Sequence, residues 1–294
     1  MNKGIILAGG LNTRLHPMTF SISKQMLPVY DKPMIYYPLS TLMMFGIRDI
    51  LLISTPRDIP MFRDLLHDGS QWGIHIEYAQ QPEPEGIAQA FVIGEDFING
   101  EQTAMILGDN IIHTGYLSDT GKKLSATPNH ATIFTYKVSD PQRFGIVEFD
   151  KQKNVISIEE KPAKPKSNFA AIGLYCYPGD VAQYAKKVKK SARGEYEITD
   201  LSNLYLAEGR LKTMDLGYGA TWLDAGTEKS LMLASNFIGA IEETRGIKIS
   251  CPEEIALEKG FINECGMELQ IAKFKRGGYA DYLRKVLKDH QNAI

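Results

Sequence analysis

The stretch "GIILAGGLNTRLHP" (residues 4–17) contains the first predicted strand and the loop that follows it. It starts as a short apolar run, breaks at the pair Gly9 and Gly10, and continues to Arg14. An uninterrupted apolar run is typical of a strand buried on both faces, as in a parallel sheet. Two glycines after it let backbone N–H groups approach an anion with no Cβ in the way. The stretch predicts a phosphate-binding loop, although a plain turn with a solvated Arg14 explains it equally well.

The first half of the chain repeats this pattern. Apolar runs at 3–8, 49–55, 74–79, 103–109 and 131–138 predict strands, and segments with helical periodicity lie between them. The apolar stretch at 34–47 is too short to cross a bilayer and predicts a buried helix. The alternation predicts an α/β fold with a mostly parallel, Rossmann-like sheet flanked by helices.

The pattern changes after Pro141. Residues 143–162 alternate apolar and polar around a polar turn, which predicts a β-hairpin inserted beside the parallel sheet. A further strand at 169–177, two helices and two short strands around a Gly-rich turn follow. From Thr227 onward the chain reads as a helical tail.

Composition narrows the class of protein. The 294 residues are 44% hydrophobic and 23% charged, with a formal net charge of -2. These values indicate a globular protein and argue against a nucleic-acid or membrane partner. Cys176, Cys251 and Cys265 share no metal-ligand spacing, so we expect free thiols and a cytoplasmic location. Neither a Walker A loop nor a complete GxGxxG motif occurs, which weakens the P-loop and dehydrogenase interpretations.

Two aspartates follow apolar runs at predicted strand ends. Asp109 stands in "MILGDN" and Asp224 in "TWLDAGT". Ligands of parallel sheets bind beyond the carboxyl ends of the strands, and two carboxylates meeting there suit Mg²⁺, which also takes water and substrate phosphates. The alternative is that both are turn or helix-capping residues. The shared pattern favours the metal interpretation.

Weaker signals suggest a sugar phosphate and a base. Glu160 in "EEKP" could bind a sugar hydroxyl, and Lys161 beside it could bind a phosphate. Alternatively, the two residues form an exposed ion pair that contributes little to stability. Gly145 allows close backbone approach, and Arg193 precedes a predicted helix. Gln81 presents a donor and an acceptor that suit a uracil- or thymine-type base, although a solvated loop glutamine is more common.

Taken together, the motifs resemble a known family. "GIILAGG-x-x-TRL-x-P", "SKQMLPVYDKPMIYYPLSTLM", "LGDN", "FGIVEFD", "EEKP-x-x-PKSN", "RGEYEITD" and "WLDAGT" occur here in this order. They closely resemble the sugar-1-phosphate nucleotidyltransferases, in particular the glucose-1-phosphate thymidylyltransferases. The resemblance covers nearly the whole chain. It implies a Mg²⁺-dependent transfer of dTMP from dTTP to α-D-glucose 1-phosphate with release of pyrophosphate, serving deoxysugar and cell-surface polysaccharide synthesis.

The resemblance also implies roles for individual residues. The catalytic residues would be Arg14, Lys24, Lys161 and Arg193, and the metal ligands Asp109 and Asp224. The nucleotide would contact Leu7, Ala8, Gly9, Gly10, Asn12, Thr13, Arg14, Lys24, Gln25, Gln81, Gly86 and Asp109. The sugar phosphate would contact Asn110, Gly145, Glu160, Lys161, Ala171 and Arg193.

The expected organisation is a core at 1–240 and a helical region at 241–294 near a subunit interface, in a homotetramer. Within the core, 1–140 would bind mainly the nucleotide and 141–226 mainly the sugar phosphate. Asn12 and Ala225 replace the family's usual Gly and Thr without loss of a ligand. Tyr218 and Glu258 stand where relatives place arginines for an end-product sugar nucleotide, which predicts weak feedback inhibition.

Three other functions remain possible at this stage. A uridylyltransferase would share most of these motifs. A non-catalytic sugar-nucleotide-binding subunit should have lost a metal-binding Asp or a phosphate-binding cation, whereas Asp109, Asp224, Arg14, Lys24 and Lys161 are all present. A GT-A glycosyltransferase would normally carry an Asp-x-Asp motif, and "LGDN" lacks its second Asp.

Overall fold

A nine-stranded sheet with helices packed on both faces forms the centre of the molecule. The structure is a computed structural model, and it describes residues 1–10 and 13–293. The α/β class predicted from the sequence is confirmed. Among the described residues, no helix is both long and apolar enough to cross a membrane.

The elements follow the predicted order closely. The strands are β1 (Lys3–Leu7), β2 (Pro28–Val29), β3 (Lys32–Pro33), β4 (Asp49–Ser54), β5 (His75–Gln80), β6 (Thr103–Leu107), β7 (Asn110–His113), β8 (Ala131–Lys137), β9 (Gly145–Phe149), β10 (Val155–Glu160), β11 (Phe169–Tyr177), β12 (Leu211–Asp215) and β13 (Thr221–Asp224). The helices are α1 (Tyr36–Met44), α2 (Ile59–Leu66), α3 (Gln89–Ile93), α4 (Glu95–Ile98), α5 (Leu117–Ser125), α6 (Val181–Ala185), α7 (Ile198–Ala207), α8 (Glu228–Arg245), α9 (Pro252–Glu258), α10 (Glu264–Lys273) and α11 (Gly278–Ala293).

The N-terminal part of the sheet is wholly parallel. β1 lies between β4 and β6, and β5 pairs with the outer side of β4. Ile5 and Ile6 on β1 are fully buried and face opposite sides of the sheet, in two separate apolar clusters. Burial on both faces explains why β1, β4 and β6 lack polar alternation. The prediction of burial on both faces is wrong for β5, because this strand lies at the sheet edge and exposes His75 and Glu77. The carboxyl ends of these four strands share one edge, where Gly9, Gln81 and Asp109 follow.

Strand β11 joins this parallel part to the remainder of the sheet. It runs antiparallel to β8 along one side, and on the other side it pairs antiparallel with β9 near its start and with β6 near its end. The predicted hairpin is confirmed as β9 and β10, which pair antiparallel with a register shift near Val155. The register between β11 and β8 shifts between Ala171 and Tyr175, at the edge where the candidate site lies.

A small second ribbon was not predicted from the sequence. β7 starts at Asn110, directly after "LGD", and pairs antiparallel with β13. In this pairing Asp224 lies opposite Asn110. β7 is too short and too close to β6 to be distinguished from it by apolar pattern alone. The ribbon brings the two predicted metal ligands together from distant parts of the chain.

The predicted helical tail is confirmed as α8 to α11. Thr227 and Ser230 form a capping box at the start of α8, three residues after Asp224. Glu253 on α9 is buried and accepts hydrogen bonds from Trp72 Nε1 at 3.1 Å and Tyr279 Oη at 2.7 Å. These bonds fix α9 and α11 against the core.

Candidate active site

Two adjoining cavities open at the carboxyl-end edge of the sheet. The first, of about 460 Å³, contains Glu160 and is here called the Glu160 cavity. The second, of about 320 Å³, contains Lys24 and is called the Lys24 cavity. Arg14 lines both. A third cavity of about 610 Å³ lies near the amino ends of β4 and β5, and no predicted site residue lines it.

The glycine loop forms one wall of the Lys24 cavity. Leu7 and Ala8 are buried at the end of β1, and Ala8 is held by hydrogen bonds with Ile53 and Ser54. Gly10 has φ of +112°, a conformation that side chains disfavour, and it lines the cavity together with Thr13. Asn12, predicted to contact the nucleotide, lies outside the described residues.

Gly9 makes room for Gln81. A Cβ built on Gly9 would lie 2.4 Å from Gln81 Oε1, closer than real contacts allow. Gln81 is buried, and its Nε2 donates to Gln89 Oε1 at 2.7 Å, which fixes the amide orientation. Gly86 has φ of +120°, and a Cβ there would lie 2.5 Å from the Tyr196 backbone. At two of the predicted nucleotide residues, Gly9 and Gly86, a side chain would therefore clash, and the buried position of Gln81 depends on Gly9.

The side chain of Gln25 is buried outside both cavities. Its side chain is buried, accepts a hydrogen bond from Ser23 Oγ at 2.5 Å and packs where a Cβ on Gly108 would lie. It does not line either cavity. Gln25 thus packs beside Gly108, directly after β6. Its predicted contact with the nucleotide stays a prediction.

Lys24 and Asp109 form an ion pair between the two cavities. Lys24 Nζ lies 2.5 Å from Asp109 Oδ2, and Asn110 Nδ2 donates to Asp109 Oδ1 at 3.0 Å. Burial alone would raise the pKa of Asp109, but the Lys24 charge and these hydrogen bonds outweigh it and lower the pKa. Asp109 is therefore an ionised carboxylate at neutral pH.

The carboxylates of Asp224 and Asp109 both lie close to Gly226. A Cβ built on Gly226 would be 3.0 Å from Asp224 Oδ1 and 3.7 Å from Asp109 Oδ2. Burial, followed by the negative charge of Asp109, raises the pKa of Asp224, whereas Lys24, Arg14 and Arg143 oppose the shift. The two carboxylates repel each other here, and a side chain at position 226 would crowd the Asp224 carboxylate.

The donor set fits a hard divalent cation. A cation between Asp109 and Asp224 would remove their mutual repulsion, and carboxylate oxygens are the ligands that Mg²⁺ prefers. Within residues 1–10 and 13–293 no group of three or more His, Cys, Asp and Glu side chains could hold a metal. A two-carboxylate site completed by water and phosphates matches this arrangement.

The Glu160 cavity collects most of the predicted sugar-phosphate residues. Gly145, Glu160, Lys161 and Ala171 line it, as do Asp109 and Asp224. A Cβ on Gly145 would lie 2.8 Å from Thr199 Cγ2 and 3.2 Å from Glu160 Oε2, so this glycine keeps the cavity open. Burial raises the pKa of Glu160, and the positive charges of Lys161 and Arg193 counteract the shift.

Asn110 has its hydrogen-bonding groups engaged by protein. Its Oδ1 accepts from Gly173 N at 3.1 Å and Trp222 Nε1 at 2.6 Å, while its Nδ2 donates to Asp109. These bonds link β7, β11 and β13 at the floor of the cavity. Asn110 is thus placed to orient Asp109, and its predicted contact with the sugar phosphate remains untested by this geometry.

Arg193 is within reach of the cavity but is held by carboxylates. Its guanidinium lies 3.3 Å from Glu160, 3.0 Å from Glu195 and 3.4 Å from Glu197. Arg193 does not itself line the Glu160 cavity, whereas Glu160 does. The Arg193 side chain is 38% exposed, so a phosphate that approached it would compete with these three acids for the guanidinium.

Sequence reasoning missed several cavity residues. Trp222, Tyr175, Arg143 and Thr199 all line the Glu160 cavity. Arg143 Nη2 lies 3.8 Å from Asp224 Oδ2, and Thr199 Oγ1 is a buried hydroxyl with no partner in the described structure. Trp222 and Thr199 lie inside the motifs "WLDAGT" and "RGEYEITD", and Arg143 directly precedes "FGIVEFD", so these motifs were the available signal. Tyr175 lies outside the quoted motifs.

Comparison with known proteins agrees with this geometry. Residues 3–240 match the family model described as nucleotidyl transferase. Over 286 residues the chain is 52% identical to a glucose-1-phosphate thymidylyltransferase of Xanthomonas campestris pv. campestris (strain B100), which covers 97% of both chains. A glucose-1-phosphate thymidylyltransferase of Neisseria gonorrhoeae is 50% identical over 281 residues, covering 96% of this chain and 98% of the relative.

Solved structures share the fold. A structure from Bacillus anthracis in complex with sucrose, described as a glucose-1-phosphate thymidylyltransferase, superposes with a TM-score of 0.75 at 38% identity, over 81% of this chain and 95% of that one. A UDP-glucose pyrophosphorylase with UDP-glucose bound gives a TM-score of 0.71 at 23% identity, over 83% and 100%, which shows the fold alone. The site and these matches define a nucleotidyltransferase. The chain belongs to the glucose-1-phosphate thymidylyltransferase family, and the predicted family is confirmed.

Proposed function

We propose that the protein transfers dTMP from dTTP to α-D-glucose 1-phosphate and releases pyrophosphate. The observation that carries this proposal is the position of Arg14, which lines both cavities while the Lys24–Asp109 ion pair separates them. A triphosphate in the Lys24 cavity and a sugar phosphate in the Glu160 cavity would meet at this arginine. The names of the relatives supply the identity of the two substrates.

The nucleotide would occupy the Lys24 cavity. Backbone N–H groups at Gly9 and Gly10, with Thr13, Arg14 and Lys24, would surround the triphosphate. Gln81, with its amide fixed by Gln89, would present one edge to the thymine near Gly86. Because an amide reads the ring edge shared by thymine and uracil, UTP remains the competing substrate.

The sugar phosphate would occupy the Glu160 cavity. Glu160, Gly145 and Ala171 line this cavity, so Glu160 would accept hydrogen bonds from sugar hydroxyls, and the backbone at Gly145 and Ala171 would contact the sugar. Lys161 and Arg193 would bind the phosphate. This division assigns residues 1–140 mainly to the nucleotide and 141–226 mainly to the sugar phosphate.

The reaction requires alignment and charge neutralisation. An oxygen of the sugar phosphate forms a bond to the α-phosphorus, the bond from that phosphorus to the β-phosphate oxygen breaks, and pyrophosphate departs with the electron pair. A phosphate is already ionised at neutral pH, so no general base is needed. Arg14 would offset charge between the two polyanions, and Lys161 would hold the attacking group.

Asp109 and Asp224 would hold Mg²⁺. When bound, the ion supplies charge stabilisation at the phosphates of the nucleotide. Lys24 would keep Asp109 ionised and oriented, and Asn110 would fix its other oxygen.

We also propose a cytoplasmic homotetramer that supplies dTDP-glucose for deoxysugar and cell-surface polysaccharide synthesis. The three unpaired cysteines, two of them buried, support a reducing compartment. The helical region at 241–294 is the proposed subunit-interface region, and sedimentation of the purified protein would test the oligomer.

The test of the reaction is pyrophosphate release over a matrix of nucleoside triphosphates and sugar 1-phosphates. We expect the highest kcat/KM with dTTP and glucose 1-phosphate. Preference for UTP over dTTP would replace the thymidylyltransferase with a uridylyltransferase. Absence of pyrophosphate release from every pair would overturn the proposal.

A further inference from the structure

The side chain of Arg193 is surrounded by more negative than positive charge. Glu195 Oε1 is 3.0 Å from its Nη2, and Glu160 and Glu197 are 3.3 and 3.4 Å from its Nη1. Lys161 adds a second cation, 3.6 Å from Glu160. Three carboxylates against two cations leave one negative charge in excess. This excess charge disfavours an arriving sugar phosphate, itself an anion, and the departure of one carboxylate from Arg193 would remove it.

Glu195 is the carboxylate best able to leave. The Glu197 side chain is 7% exposed and accepts a hydrogen bond from Ser191 Oγ at 2.7 Å, and the Glu160 side chain is 20% exposed. The Glu195 side chain is 40% exposed. It follows Gly194, whose φ of +78° closes a turn back to Ser191. Release of Glu195 into solvent therefore disturbs no buried contact.

Glu195 also faces the other substrate. It lines the Lys24 cavity with Arg14, Lys24 and Gly10, where the proposed triphosphate would lie. A triphosphate there would repel the Glu195 carboxylate. Glu195 therefore contacts Arg193, the proposed phosphate-binding cation of the Glu160 cavity, and also lines the Lys24 cavity.

We propose that Glu195 couples the two substrate sites. In the free enzyme it holds Arg193 away from the sugar phosphate. Bound nucleotide displaces it, and the freed Nη2 of Arg193, whose Nη1 stays near Glu160 and Glu197, then binds the phosphate in the Glu160 cavity. The inference rests on the proposed function and adds a coupling residue to it. Glu195 acts through Arg193 and is a positioning residue.

Calorimetric binding measures this coupling directly. The affinity for glucose 1-phosphate is measured with and without a saturating α,β-methylene analogue of dTTP, which cannot react. In the wild type we expect the analogue to tighten binding about tenfold, within the usual range of coupling between sites. In Glu195→Gln, glucose 1-phosphate should bind severalfold more tightly without nucleotide, and the ratio should fall to about twofold or less.

A matched pair elsewhere serves as the control. Glu208 and Arg210 are likewise two residues apart and 3.4 Å from each other, on the surface away from both cavities. Glu208→Gln should keep the wild-type ratio. An unchanged ratio in both Glu195→Gln and Glu195→Ala, or a wild-type ratio of one, would overturn the proposal. Pyrophosphate release by the wild type separately decides whether the proposed function itself holds.

Discussion

Lys24 Nζ lies 2.5 Å from Asp109 Oδ2, so a cation from the start of the chain and a carboxylate from the end of β6 form one ion pair. The pair stands between the two cavities and keeps Asp109 ionised. Lys24, which is predicted to bind the nucleotide, is thus paired directly with Asp109, which is predicted to bind the metal.

The first prediction concerns this carboxylate. Asp109→Asn removes the charge while keeping the shape, and it leaves Lys24 without its partner. We expect kcat/KM to fall on the order of 10²–10³, the usual loss when one charged transition-state contact is removed. Pyrophosphate release measures the activity, and circular dichroism verifies the fold. Asp49→Asn, which alters an ion pair with Lys3 at the opposite edge of the sheet, should leave activity unchanged. Activity within tenfold of wild type in Asp109→Asn would contradict the assignment.

The second prediction uses the space beside Gly226. In Gly226→Ala the new methyl group would lie 3.0 Å from Asp224 Oδ1, so the carboxylate must move. We expect the Mg²⁺ concentration for half-maximal activity to rise about tenfold, a size typical of disturbing the support of a metal ligand. Gly115→Ala, where a Cβ meets open space, is the control. Identical Mg²⁺ activation curves for both variants would count against a metal between Asp109 and Asp224.

The third prediction concerns the unpartnered hydroxyl of Thr199. Thr199→Val keeps the side-chain shape and removes a buried polar atom that has no partner in the described structure. The free energy of unfolding should stay the same or rise by about 1 kcal/mol. If the hydroxyl binds the sugar, KM for glucose 1-phosphate should rise about tenfold. Ser40→Ala removes another unpartnered buried hydroxyl, within α1, and should leave KM unaltered. A wild-type KM in Thr199→Val would remove Thr199 from the sugar site.

The fourth prediction is a pH dependence of stability. Burial raises the pKa of Glu254 to about 7, assisted by Glu258 and Glu242 and opposed by the hydrogen bond from Tyr282. Because the folded protein holds this proton more tightly than the unfolded chain, the group stabilises fully below about pH 4.5 and loses its contribution as the pH rises through 7. The loss is on the order of 3 kcal/mol. Urea unfolding should therefore show a smaller fall in stability from pH 5 to pH 8 in Glu254→Gln than in wild type. Equal falls would disprove the shift.

The fifth prediction concerns regulation. Tyr218 and Glu258 are both exposed and offer no positive charge at the positions where the family resemblance implies arginines. We expect inhibition by dTDP-L-rhamnose to be weak. A dose–response curve with a submicromolar midpoint would refute this expectation.

Sequence reasoning located most elements because the strands carry strong local signals. The apolar runs at β1, β4 and β6 strongly favour buried strands, and the glycines after β1 indicate the start of the loop that lines the Lys24 cavity. It could not foresee the pairing of β7 with β13, because a four-residue strand has no periodicity that separates it from β6. That pairing depends on contacts between residues far apart in sequence.

The candidate site was predicted unevenly for a related reason. Asp109 and Asp224 follow apolar runs, so their strand-end positions could be inferred. The burial of Gln25, the engagement of Asn110 by Trp222 and Gly173, and the triple acidic contact of Arg193 depend on tertiary packing. Residue type alone indicated what these side chains can bind and could not show which partners they already have.

The double pairing of β11 limits how the enzyme can adapt to other sugars. This strand is hydrogen-bonded to β6, which leads to Asp109, and it carries Ala171, Gly173 and Tyr175 into the Glu160 cavity. β11 thus connects β6 directly to the wall of the Glu160 cavity. A bulkier or differently substituted hexose would therefore be accommodated by smaller side chains in the Glu160 cavity. Moving β11 away from β6 would instead break the hydrogen bonds between these two strands.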